Sequence, residues 1–131
     1  DALKLLGPEH RVSVYDARFA KPVDAGLIRE LLEAGTPVIT IEDHSIVGGF
    51  GAAVIEAASE MGLDASLITR LALPDAWVYQ DSRNDQLAEV GLDAASIARH
   101  VRERVVSRNA AEPLVDVKVR GRESQAVSGR S

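Results

Sequence analysis

Hydrophobic and polar positions along the chain keep switching between two periods. Leu27, Ile28, Leu31 and Leu32 recur at helical spacing while Arg29, Glu30 and Glu33 take the other face, which predicts an amphipathic helix. Asp24 stands where an N-cap is needed, Gly35 supplies a terminator, and Pro37 bars continuation. The next run, Val38-Ile39-Thr40-Ile41, is β-branched throughout and predicts a short strand with Glu42 and Asp43 at its carboxyl end. His44 to Gly49 then reads as a loop. It leads into a helix over Phe50–Met61 whose Ala52, Ala53, Ala57 and Ala58 can approach a sheet closely, and Gly62 ends it. A further strand is expected over Leu67–Leu73, closed by Pro74-Asp75.

Upstream, Ala2–Leu6 reads as a helix stopped by Gly7-Pro8. Arg11–Phe19, with Val12, Val14 and Tyr15, reads as a mostly buried strand. Downstream, Ser82 caps a helix over Arg83–Val90 in a shortened capping box with Asp85, and Gly91 terminates it. Asp93 caps another helix over Ala94–Val106, along which Ile97, Val101 and Val105 form one apolar stripe. Strands alternating with helices imply parallel crossover units. The fold class is therefore α/β, a three-layer α/β/α domain with a mostly parallel sheet. Residues 1–106 form that domain. Residues 107–131 read as a basic, flexible tail in which Leu114 to Val119 alternates like a half-buried strand.

Charge and composition narrow the function. The chain carries 15 Lys/Arg against 20 Asp/Glu, a formal −5, which argues against nucleic acid or anionic lipid as main partner. No apolar run is long enough to span a bilayer. With no cysteine, thiolate nucleophiles, disulfides and Cys-based zinc sites are excluded, and a reducing cytoplasm suits the composition. The charge is uneven, −7 over residues 1–106 (10 basic, 17 acidic) and +2 over 107–131 (5 basic, 3 acidic). Together with a first residue, Asp1, that already lies within a helical pattern, this suggests a fragment with a basic tail.

Three groups of residues carry candidate chemistry. Gly48, Gly49 and Gly51 stand between a strand and a helix, where amides at a helix start can hold an anion. Their spacing fits neither a dinucleotide fingerprint nor a P-loop, so a tight packing turn is the favoured reading. Glu42, Asp43 and His44 place two carboxylates and an imidazole at a strand's carboxyl end, where open α/β sheets bind ligands. A proton-transfer couple is conceivable there, but no nucleophile or further metal ligand accompanies it, and a solvated polar cluster is favoured. Arg18 could clamp a carboxylate or phosphate, or pair with Asp16, Asp24 or a partner subunit; the structural or interfacial role is favoured. Trp77 and Tyr79 are aromatics of the kind that anchor protein contacts, although packing within the domain is the simpler account.

Asp16-Ala-Arg-Phe-Ala-Lys-Pro-Val-Asp24, Gly48-Gly-Phe-Gly-Ala-Ala-Val54, and Leu73-Pro-Asp75 followed by Val90-Gly-Leu-Asp-Ala94 together resemble one family. They are similar to the C-terminal, transketolase-type domain of 1-deoxy-D-xylulose-5-phosphate synthases, over Asp1 to about Arg104. The resemblance implies a thiamine diphosphate- and magnesium-dependent transferase that joins pyruvate, after decarboxylation, to glyceraldehyde 3-phosphate, for isoprenoid, thiamine and pyridoxal synthesis. It implies that cofactor and metal sit in an N-terminal and a middle domain absent here, so no catalytic, cofactor or metal residue is assigned. It further implies a cytoplasmic homodimer in which this segment serves structure and dimerisation, inactive alone. The family's sheet begins with strands upstream of the first helix, so a domain truncated at those strands is expected, with exposed edges that make it poorly stable or self-associating. Rival readings are the same domain of a transketolase or of a 2-oxo acid dehydrogenase β-subunit, and a free-standing anion- or nucleotide-binding module.

Overall fold

The computed structural model describes residues 1–109, Phe19 and Tyr79 excepted. The described elements run α1 (Ala2–Leu5), α2 (Ala25–Glu33), β1 (Val38–Ser45), α3 (Phe50–Glu60), a 3-10 turn (Ala65–Leu67), β2 (Ile68–Leu73), α4 (Arg83–Glu89) and α5 (Ala94–Asn109). The alternation expected at 114–119 lies outside the described residues.

β1 and β2 pair in parallel, with Val38 opposite Ile68, Thr40 opposite Arg70 and Ile41 opposite Leu71. Helices cover both faces. On one side α2 and α3 deliver Ile28, Leu32, Val54 and Ala58 onto Ile68, with Val38 and Phe50 packed around them. Each of these isoleucine, leucine and valine side chains removed from water contributes about 1.5–3 kcal/mol. On the other side Arg104 of α5 donates to the Thr69 hydroxyl at 2.5 Å, Arg83 of α4 bonds the Asp43 carboxylate, and α1 packs along α5. The result is the three-layer α/β/α arrangement with a parallel sheet.

Local chemistry sets the helix limits. The Asp24 carboxylate accepts from Leu27 N at 2.9 Å to start α2, and Gly35 ends that segment with φ 65°, a left-handed conformation that favours glycine. Ser82 Oγ accepts from Asp85 N at 3.3 Å and donates back to the Asp85 carboxylate, so the shortened box opens α4 as expected.

Two elements differ from the sequence reading. Residues 10–18 have no regular secondary structure, and Val14 and Tyr15 are exposed. A strand requires a ladder partner for its N–H and C=O groups, and among the described residues β1 pairs only with β2. The β-branched run thus has strand composition without a strand to join. Conversely, β1 continues past Ile41 to Ser45, so His44 and Ser45 belong to the strand and not to the loop. Its register breaks between Ile41 and Ser45, where β1 holds two more residues than β2, a bulge that re-aims the side chains in between.

Among the described residues the sheet has two parallel strands, so each has one edge that no other described strand pairs. Unpaired edge amides template association. The unfolding midpoint of the isolated chain is therefore expected to rise with protein concentration, and sedimentation to show species larger than a monomer; one concentration-independent monomer transition would contradict this. Asp64 and Asp93 have pKa values lowered from the ordinary 3.8, chiefly by hydrogen bonds from Ser66 and Ser96 respectively. A carboxylate with a depressed folded-state pKa stabilises fully above its unfolded value and loses that contribution as pH falls through the folded one. Acid titrations of stability should therefore drop below pH 3.8, less steeply for Asp64→Asn and Asp93→Asn.

Candidate functional site: a carboxylate-closed glycine loop

The loop from Ile46 to Gly49 joins β1 to α3 at the carboxyl end of the sheet. Gly49 occupies the N-cap position of α3 and has no side chain to cap with. Glu42 does this work from β1. Its Oε2 accepts from Phe50 N at 2.6 Å and its Oε1 from Gly51 N at 2.9 Å, so one carboxylate satisfies two of the first amides of the helix. Both bonds are partly buried and charge-assisted, and the helix dipole adds to them.

The glycines are demanded by close approach. A Cβ on Gly49 would run into the Glu42 carboxylate and stand 2.6 Å from Ser45 O. A Cβ on Gly51 would lie 2.6 Å from Thr40 Oγ1 and 2.8 Å from Arg70 Cγ. The loop is held from its other side as well. Arg70 Nη1 donates to Ile46 O at 3.0 Å, Ile46 N donates to Leu73 O at 2.8 Å, and Val47 N to Ser45 Oγ at 3.2 Å.

Gly49, Gly51 and Glu42, singled out separately from the sequence, thus meet in one structure, while Gly48 turns the loop with φ 69°. The carboxylate of Glu42 lies where an external anion would have to sit. Asp43 does not join it. Successive strand residues face opposite sides of a sheet, and Asp43 pairs with Arg83 of α4 on the far face. His44 is exposed, with Nδ1 3.4 Å from the neighbouring Ser45 O. The three residues adjacent in sequence thus have separate partners, and among the described contacts no hydrogen bond or ion pair joins them. Arg18 is exposed at φ 56°, and its backbone N–H donates to Asp16 Oδ1 at 3.0 Å. Among the described residues no ion pair links its guanidinium to Asp16 or Asp24. Trp77 is 89% exposed.

Thr40 and Arg70 were missed by sequence reasoning. Their signal was faint: a threonine in the β-branched run of β1 and the one cation of β2, opposite each other in the register. Thr40 is 5% exposed, its hydroxyl has no hydrogen-bond partner among the described residues, and it lies close beneath Gly51. Among the described residues no group of three or more His, Cys, Asp or Glu could hold a metal ion, and no helix is long and apolar enough to cross a membrane.

A family model described as "Transketolase, C-terminal domain" matches residues 2–97. The chain belongs to the transketolase C-terminal domain family. Within it, this transketolase C-terminal domain is of the 1-deoxy-D-xylulose-5-phosphate synthase type. It is 43% identical over 102 residues to 1-deoxy-D-xylulose-5-phosphate synthase of Synechococcus sp., covering 76% of this chain and 16% of that protein. Against the enzyme of Burkholderia ambifaria it is 42% identical over 111 residues, 85% of this chain and 17% of the relative. The chain thus spans about one sixth of the length of these curated relatives. A solved structure titled "Split gene transketolase, inactive beta4 tetramer" superposes with a TM-score of 0.52 at 30% identity, over 66% of this chain and 27% of that one.

If Glu42 closes this transketolase C-terminal domain's loop, Glu42→Ala should lower unfolding free energy by about 1–3 kcal/mol, with Glu42→Gln in between. Gly51→Ala should cost about 1–3 kcal/mol through overpacking against Thr40 and Arg70. Gly26→Ala, in the first turn of α2 where a Cβ would meet only Asp24 Oδ1 at 3.4 Å, should instead gain a few tenths up to ~1 kcal/mol. Urea denaturation of the variants reads all four values.

Proposed function

We propose that the chain is the C-terminal domain of a 1-deoxy-D-xylulose-5-phosphate synthase and serves its architecture, not its chemistry. The whole enzyme condenses pyruvate, after decarboxylation, with glyceraldehyde 3-phosphate and supplies precursors for isoprenoids, thiamine and pyridoxal. Its thiamine diphosphate and magnesium belong to the N-terminal and middle domains. This domain packs against those domains and supports a cytoplasmic homodimer; alone it is inactive.

The closed loop is the observation that carries the reading. Among the described residues the glycine-rich helix start suited to a diphosphate is already filled by the Glu42 carboxylate, which would repel a second anion at that place. The residues present therefore do not fit thiamine diphosphate, and no step is assigned to them. Identity near 40% to 1-deoxy-D-xylulose-5-phosphate synthases supports the choice of enzyme over a transketolase or a 2-oxo acid dehydrogenase β-subunit. The inactive state named for the split-gene transketolase tetramer is in keeping with a C-terminal piece that needs the remainder of its enzyme. Gly48, Gly49 and Gly51 are then a packing turn, and Arg18, with Asp43 and His44, belongs to the surface that meets the other domains.

Adding the purified chain to a 1-deoxy-D-xylulose-5-phosphate synthase that lacks its third domain is expected to restore turnover. The chain alone, with cofactor, magnesium and both substrates, should release no carbon dioxide. Turnover by the chain alone, or no restoration despite demonstrated binding, would overturn the proposal.

A further inference from the structure

α4 closes on itself more than it packs on the domain. Its first turn is held by Ser82 and Asp85. At its other end Gly91 takes φ 74°, Leu92 N donates to Leu87 O at 2.8 Å and Gly91 N to Ala88 O at 3.2 Å. The same turn ends α3, where Gly62 has φ 67° and Leu63 N donates to Ala58 O at 2.9 Å. Packing separates the two helices. α3 buries Gly51, Ala53, Val54 and Ala58, whereas α4 buries no residue. Next to α4 lies a cleft of about 180 Å³, lined by Leu73 and Val78 together with Arg83, Gln86 and Leu87 of the helix. Packed interiors leave few voids larger than a water molecule, so α4 stands off the end of β2. A segment with so little buried apolar surface opens at low free energy.

The two ends of this segment differ. Leu92, just past Gly91, is buried, and α5 behind it is tied to β2 where Arg104 Nε donates to the Thr69 hydroxyl. Residues 74–78 and 80–82, before α4, lie in no helix or strand. A long-range tie runs from the Arg83 guanidinium to Asp43, in the bulged stretch of β1, and these side chains are 56% and 55% exposed. We infer that α4 is a hinged flap, with Gly91 as its pivot and the Arg83–Asp43 ion pair as its latch, and that breaking the pair opens the cleft over Leu73 and Val78. Residues at element ends, often small ones, absorb the backbone rotation that a hinge needs. An ion pair this exposed biases an equilibrium by about fivefold at most and is screened by salt. The latch therefore holds the flap and still lets it open. A neighbouring cleft of about 620 Å³ shares Leu73 and Val78, so opening merges the two and uncovers Leu87. This inference concerns the chain's own packing and holds whichever enzyme the domain completes.

The chain has no cysteine, so a single thiol placed at Leu87 reports the opening directly. Labelling of the full chain carrying Leu87→Cys by neutral iodoacetamide is timed with and without Asp43→Asn, and at about 20 mM and about 500 mM NaCl. The substitution and the added salt are each expected to speed labelling about two- to fivefold. Ala58→Cys, at a position 0% exposed in the opposite layer, reports unfolding of the whole domain and should not respond. If a variant fails to fold, hydrogen exchange of the unaltered chain takes its place. The Leu92 amide should then exchange faster at the higher salt by a similar factor, and the Leu63 amide, in the matching turn of α3, should not. Rates that ignore both the substitution and salt would overturn the inference. So would a rise shared equally by Ala58→Cys or Leu63, which would assign the opening to the whole domain.

Discussion

Glu42 reaches from the end of one strand to the first amides of the helix that follows, eight and nine residues later in the chain. The bond pair ties the start of α3 to the end of β1, beside the contacts that build the rest of the layer. With α3 set, Gly51 rests on Thr40 and Arg70 with no space for a methyl group, and Val54 and Ala58 meet Ile68. α2 then closes the layer through Ile28 and Leu32. A helix start inside a domain needs acceptors for its orphan amides. Here a side chain supplies them, and the same carboxylate denies the place to ligands.

That economy has a functional consequence. Open α/β sheets usually bind at the carboxyl ends of their strands, beside glycine-rich turns and helix starts. In this domain each component is present and each is satisfied internally: Glu42 by two amides, Asp43 by Arg83, and the Ile46 carbonyl by Arg70. Among the described residues the Thr40 hydroxyl stays without a partner, and the exposed features are of another kind: strand edges, a tryptophan and a non-glycine residue, Arg18, held at positive φ. Edges and exposed indole are features of surfaces that meet other polypeptide, which suits a family whose relatives are about six times longer than this chain.

Much of this was legible in the residue pattern. The apolar periodicity of Leu27 to Leu32, the Asp24 and Ser82 caps and the Gly35 and Gly91 stops define local interactions, which neighbouring residues determine among themselves. So does the β-branched run at Val38. The alternation of such elements gave the layered class, and three dispersed stretches of sequence carried the family resemblance. The failures were of the opposite sort. Val12 to Tyr15 has the composition of a strand, but a strand exists only when another supplies its hydrogen bonds.

The same distinction separates the two halves of the candidate site. From the sequence by itself came the glycines, the acidic pair and their placement between a strand and a helix. Their partnership was decided in three dimensions. Whether Glu42 and Asp43 act together depends on which face of the sheet each side chain leaves. The pleat and the bulge between Ile41 and Ser45 send one to α3 and the other to α4. Arg70 acquires its role because the parallel register sets it opposite Thr40, beneath Gly51. Propensity and capping are encoded within a few residues, whereas such long-range contacts form only once both strands and α3 have packed.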